Sequence, residues 1–196
     1  MTFDPKPLIL VMSIAAFAAA EDHPRFDPPP PEQFPNHQTV SKIVAAAEAF
    51  ETDEQARPAF GKLNPYKFGA LPVLVVIRND SKTAVSLSSM RAEYIGPDHQ
   101  KINDTPAGEL RFLQGARAPN SSGIPRMKKT KQPLAAWEIE GRAFAARILS
   151  PGASASGFFY FQTGHRSGAS LVLNGLRNAQ TGEELFFFEL PLANVR

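Results

Sequence analysis

An antiparallel β-sandwich carrying one or two short helical turns is the fold class that this 196-residue sequence predicts. Three observations predict it. The 18 Pro and 13 Gly break the chain into many short segments, which suits strands and turns better than a helical bundle. The last third consists of β-branched and aromatic runs with turn residues between them, at the roughly 8–12-residue spacing of a sandwich. Finally, 43% of residues are hydrophobic, with 15 Phe against one Trp and three Tyr, so a core filled largely by phenylalanine is expected and wholesale disorder is excluded.

The organisation reads in three parts. Leu8 to Ala20, LILVMSIAAFAAA, carries no charge, follows Lys6 and ends in an A-x-A site at Ala18 and Ala20. It is shorter than the roughly 20 apolar residues of a bilayer crossing and matches the h-region of a signal peptide. Residues 1–20 are therefore expected to be a cleaved export signal, with Asp4 offsetting Lys6 in its first turn of sequence. Residues 21–38, with Pro24, Pro28 to Pro31 and Pro35, are expected to be an extended proline-rich spacer. Residues 39–196 then form one folded domain, a length in keeping with a single core.

Within that domain, Val40 to Phe50 fits a strand, although its alanines also suit helix. Thr52 and Gln55 have capping-box spacing and Asp53-Glu54 occupy a favourable first turn, so a short helix is predicted over 53–60, stopped by Pro58 and Gly61. Leu71 to Ile77 is the clearest strand. The turn Asn79-Asp80-Ser81-Lys82 leads to a second strand, Ala84 to Ile95, which runs to the turn Gly96-Pro97-Asp98, and the two strands joined by the first turn predict a hairpin. Residues 103–133 have little apolar periodicity and predict a long loop with a basic core. Leu134 to Leu149 fits helix and strand equally. Ser156 to Gln162, Ala169 to Leu176 and Glu184 to Leu190 are strands, and the aromatic runs Phe158–Phe161 and Phe186–Phe188 predict rings buried on both faces.

The segment 72–102, PVLVVIRNDSKTAVSLSSMRAEYIGPDHQKI, resembles secreted bacterial immunoglobulin-like domains of the telokin-like, immunoprotective-extracellular type. Leu149-Ser150-Pro151-Gly152 with Gly157 to Phe161, and Gly182 to Leu190, are similar to later strands of the same group. The resemblance covers about half the chain. It implies an immunoglobulin-like sandwich and an interaction or structural role, and it assigns no site residues. FGKLNPYKFGALPV, residues 60–73, and the basic loop depart from the generic pattern.

Chemistry is bounded chiefly by what is missing. The chain has no cysteine, which excludes disulfides, iron–sulfur clusters, thiol nucleophiles and a lipid-modified cysteine. Its four histidines, His23, His37, His99 and His165, show no metal-ligand spacing, and His99 and His165 read as solvated loop residues. Gly152-Ala153-Ser154-Ala155-Ser156-Gly157 is not a nucleophile elbow. Glu138 and Glu140 would share a strand face, and two carboxylates on a solvent-exposed sheet face are far commoner than a catalytic pair. Trp137 reads as a core anchor, and Tyr66 and Phe68 as packing over the sandwich end. With a net charge of +2, the chain lacks the excess expected of a nucleic-acid binder.

The most distinctive surface feature is Arg126, Lys128, Lys129 and Lys131, which could attract an acidic polymer or partner, although a solvated loop is the plainer meaning. The expected function is an exported, non-catalytic structural or interaction module of the bacterial envelope, meeting a protein or envelope polymer, with no cofactor and no membrane-spanning helix in the mature chain. The alternative is an envelope enzyme or small-ligand carrier whose site is scattered in sequence.

Overall fold

A strand segment that is apolar at every position must be covered on both faces, and the run Leu71 to Ile77 organises the whole molecule on that principle. The computed structural model describes residues 26–113 and 133–192, so the signal segment and the four basic residues Arg126, Lys128, Lys129 and Lys131 lie outside the described residues. In chain order the first strands are β1 (Gln38–Val40) and β2 (Ile43–Ala49), followed by helix α1 (Asp53–Phe60) and β3 (Leu71–Asn79). Next come β4 (Val85–Ser86), β5 (Arg91–Ile95), β6 (Lys101–Asn103), helix α2 (Trp137–Gly141) and β7 (Ile148–Leu149). The chain closes with β8 (Ser154–Phe161), β9 (Ser170–Asn174), β10 (Arg177–Asn178) and β11 (Phe188–Pro191).

Two four-stranded antiparallel sheets, β1-β2-β3-β8 and β11-β9-β5-β6, face one another, and β10-β4-β7 forms a small third sheet at their side. β2, β3 and β8 take the places of strands A, B and E of an immunoglobulin sandwich, and β11, β9, β5 and β6 those of G, F, C and C′. The fold is therefore an immunoglobulin-like antiparallel β-sandwich with short helices. Its inner core sets Ile43, Val73, Val75, Ile77 and Phe161 against Ala92, Tyr94, Leu171, Leu173, Phe188 and Leu190.

A second core lies on the outer face of the first sheet. Leu74 and Val76 of β3 and Phe158 and Tyr160 of β8 point outward, where Ala56, Ala59 and Phe60 of α1 cover them together with Phe34, Leu110, Leu134 and Ile139. At about 1.5–3 kcal/mol per large apolar side chain buried, this layer contributes on the scale of a domain's entire net stability. α1 forms as its sequence predicts. Gln55 N–H donates to Thr52 Oγ1 at 3.3 Å and Thr52 N–H donates to Gln55 Oε1 at 3.1 Å, completing the capping box.

Several local expectations change in this setting. β3 and the following strand do not form a hairpin: β3 pairs with β2 and β8, while β4 pairs with β7 and β10 and β5 joins the opposite sheet. Both edges of β3 are taken, and a turn at Leu87–Met90 (Met90 N–H to Leu87 O, 3.0 Å) divides the expected 84–95 strand in two. The described part of the proline-rich segment lies against the sandwich rather than standing off as a spacer. Phe26 stacks near Phe158 with ring centroids 5.6 Å apart, and Phe34 is buried, because aromatic residues between the prolines anchor a stretch that has few hydrogen bonds of its own. Residues 107–112 form a 3₁₀ turn that inserts Leu110 into the outer core, so part of the expected loop is ordered. Residues 134–149 are helix first and strand last, and the helix separates Glu138 from Glu140 rather than presenting them on one strand face. Trp137 is 41% exposed and not a core anchor; Ile139 takes the buried place. Phe158 to Phe161 pack on both faces as expected, whereas Phe186 and Phe187 are 70% and 60% exposed because β11 begins only at Phe188.

The outer edge of β8 is covered by chain from α2. Phe158 N–H donates to Arg142 O at 2.8 Å and Phe144 N–H donates to Phe158 O at 3.0 Å. This crossing is possible because residue 157 is glycine: a Cβ there would stand 2.5 Å from Phe144 Cα and 2.7 Å from its backbone nitrogen.

Candidate functional site

At one end of the sandwich, four side chains from distant parts of the sequence meet around a buried imidazole. Glu51 immediately precedes the cap of α1. Tyr66 sits in a 3₁₀ turn at Pro65–Phe68 whose first residue follows Asn64; the Asn64 carboxamide accepts from Tyr66 N–H at 3.1 Å and donates to Glu51 O at 3.1 Å and to Asp53 Oδ1 at 2.9 Å. Tyr94 projects inward from β5 into the core, and His165 lies in the loop 162–169 between β8 and β9.

The hydroxyls of the two tyrosines hold that loop. Tyr66 Oη accepts from His165 N–H at 3.1 Å, and Tyr94 Oη accepts from Arg166 N–H at 2.9 Å. Tyr94 Oη also lies 3.4 Å from His165 Nδ1. The His165 side chain is 1% exposed although its backbone is at the surface, and Nε2 has no hydrogen-bond partner among the described residues; Glu51 Oε1 stands 3.9 Å away. Burial pushes the Tyr94 hydroxyl above the ordinary phenol range, so it stays protonated at any physiological pH.

Charges around this end are paired. Lys67 Nζ lies 2.5 Å from Asp53 Oδ2 and Arg166 reaches Asp98 at 2.7 Å; each partner cation holds its carboxyl below the usual carboxylate range. These are exposed pairs and contribute little to stability. No cluster of three or more His, Asp or Glu side chains that could hold a metal ion occurs among the described residues.

His165 was expected to be solvated, and its ring is not; the signal lay in no local motif, because its partners Tyr94 and Tyr66 are 71 and 99 positions away. His99 is a solvated turn residue as expected, with φ of 61°. Tyr66 and Phe68 pack against the inner and outer cores, as expected. Ser154 and Ser156 are exposed on β8, and Glu140 forms an ion pair with Arg111 on the surface. The basic residues Arg126, Lys128, Lys129 and Lys131 fall outside the described residues. Elsewhere on the surface, an open depression of about 450 Å³ is lined by Leu87, Met90, Phe144, Arg147 and Phe159 among others. No helix among the described residues is long and apolar enough to cross a membrane.

No protein-family model matches the chain, and no curated protein matches it. Among solved structures it is similar to the archaellum periplasmic stator protein complex FlaF and FlaG from Sulfolobus acidocaldarius, at 12% identity and a TM-score of 0.33 over 77% of this chain and 91% of that one. It is likewise similar to MPT63, a secreted protein from Mycobacterium tuberculosis, at 12% identity and a TM-score of 0.33 over 78% of this chain and 89% of that one. Likeness of that degree carries no function across, and the sandwich rests on the chain's own strand order.

Proposed function

We propose that the mature chain is an exported, non-catalytic structural or interaction module of the bacterial cell envelope, of the telokin-like immunoglobulin type, which meets a protein or envelope polymer through its surface. The observation that carries this reading is the filling of the fold. The space between the sheets is packed by side chains such as Ile77, Tyr94, Phe161 and Leu173, and the outer face of the first sheet by Phe60, Phe158 and Tyr160, all at 1% exposure or less. Such a fold presents edges, loops and ends rather than an interior ligand chamber. The basic residues Arg126, Lys128, Lys129 and Lys131 supply a charge pattern suited to an acidic polymer or protein face.

Two experiments test it. Fractionation of the native host is expected to recover the chain shortened by residues 1–20 outside the cytosol; recovery of the full-length chain in the cytosol overturns the export half. Chemical cross-linking in intact cells is expected to capture an envelope component, with capture reduced severalfold when Arg126, Lys128, Lys129 and Lys131 are all replaced by Gln. Unchanged capture by that variant removes the basic segment from the binding surface.

A further inference from the structure

We infer that Glu51 and His165 form an acid-closed latch, in which protonation of the buried imidazole draws in the Glu51 carboxylate and ties the loop 162–169 to the head of α1. The geometry is that of an ion pair short of contact: Glu51 Oε1 and His165 Nε2 are 3.9 Å apart, about 1 Å beyond a charge-assisted hydrogen bond. No other described residue satisfies Nε2, and the ring is 1% exposed. The Glu51 side chain is 27% exposed, so it has room to swing.

The groups facing the ring set what acid does. Tyr94 Oη occupies the Nδ1 side from β5, and Tyr66 Oη is engaged by the His165 backbone from the 3₁₀ turn. Arg166, the adjacent cation in the loop, is directed to Asp98 on the β5–β6 turn. Glu51 is thus the carboxylate placed to meet a charged imidazole. A charged imidazole donates from both nitrogens: Nδ1–H faces Tyr94 Oη, 3.4 Å away, and Nε2–H is a cationic donor aimed at Glu51. The added tie exists while the ring is charged and is lost as rising pH removes its proton. Loop 162–169 and the head of α1 are therefore stiffer in acid.

The test is amide hydrogen exchange by NMR on the mature chain, with protection factors for the His165 and Arg166 amides measured at about pH 5 and about pH 7.5. The parent is expected to gain at least threefold protection at the acidic pH, and Glu51→Gln, a change at a partly exposed side chain, is expected to remove that gain. A flat parent, or an equal gain in Glu51→Gln, overturns the latch.

Discussion

Replacing Asn79 by Asp changes one atom in the interior and tests the join between the first sheet and the small side sheet. Asn79 is fully buried at the end of β3, and its amide makes every hydrogen bond it can. Nδ2 donates to Thr83 O and to Leu149 O, each at 2.9 Å, and Oδ1 accepts from Ser81 N–H at 3.0 Å and Ser81 Oγ at 2.6 Å. One side chain therefore closes the turn after β3 and tethers β7, 70 positions away. In Asn79→Asp an oxygen faces both carbonyls. If protonated it serves one of them, so a bond either to Leu149 O or to Thr83 O, which Ser81 Oγ also reaches at 2.9 Å, is lost, costing about 1–3 kcal/mol.

Ionising that carboxyl beside two carbonyl oxygens costs more still, so its folded-state pKa rises above the unfolded value of about 3.9. The linkage follows from that direction. The proton-bound form supports the fold fully below about pH 3.9, and this support is lost as pH rises towards the folded pKa, at about 1.4 kcal/mol per pH unit. Asn79→Ala removes both donations, although Ser81 Oγ still reaches Thr83 O at 2.9 Å, and it carries no titrating group. Urea unfolding followed by circular dichroism, with each variant compared with the parent at the same pH, is expected to show a nearly constant deficit for Asn79→Ala. Asn79→Asp should show one that grows from acid to neutral pH. A deficit for Asn79→Asp below about 1 kcal/mol at neutral pH, or one that runs parallel to Asn79→Ala, refutes the reasoning.

Gly157→Ala is expected to lower stability by about 2–4 kcal/mol, since the new methyl must displace the Phe144 backbone and with it the pair of hydrogen bonds that covers β8; a midpoint shift in urea worth less than about 0.5 kcal/mol would sink that account. Gln38→Ala opens a sheet edge. The Gln38 carboxamide accepts from Glu189 N–H at 3.2 Å and donates to Glu189 O, Asn36 donates to Pro191 O at 3.1 Å, and Pro191 has no N–H, so the exposed backbone of β11 is satisfied without a neighbouring strand. Removing the amide is expected to cost only about 1 kcal/mol but to raise self-association in sedimentation velocity, and an unchanged sedimentation profile counts against an edge-capping role.

Local chemistry was legible wherever one segment carries its own instructions. Thr52 and Gln55 announce the cap of α1, the apolar run 71–77 announces β3, and Phe158 to Phe161 announce a strand with two buried faces. The supposed hairpin after β3 shows the limit. The turn at Asn79 was visible, but whether the next strand returns alongside β3 or crosses to the other sheet depends on competition for its edges, and β2 and β8 win both. The outer core was hidden for a related reason: Phe34, Leu110 and Leu134 are isolated apolar residues in polar, proline-rich stretches, and only contact with α1 and β8 makes them core. The candidate site was the least legible, because a histidine after glycine looks solvated until Glu51, Tyr66 and Tyr94 surround it.

The amino-acid sequence by itself therefore determined the sandwich class, the positions of its principal strands and the short capped helix, since hydrophobic period, turn residues and caps act within a few residues of themselves. Strand order, the second core and the burial of His165 were decided by tertiary structure alone. Each depends on which distant surfaces compete for the same neighbour, and that competition is settled only when the two sheets close.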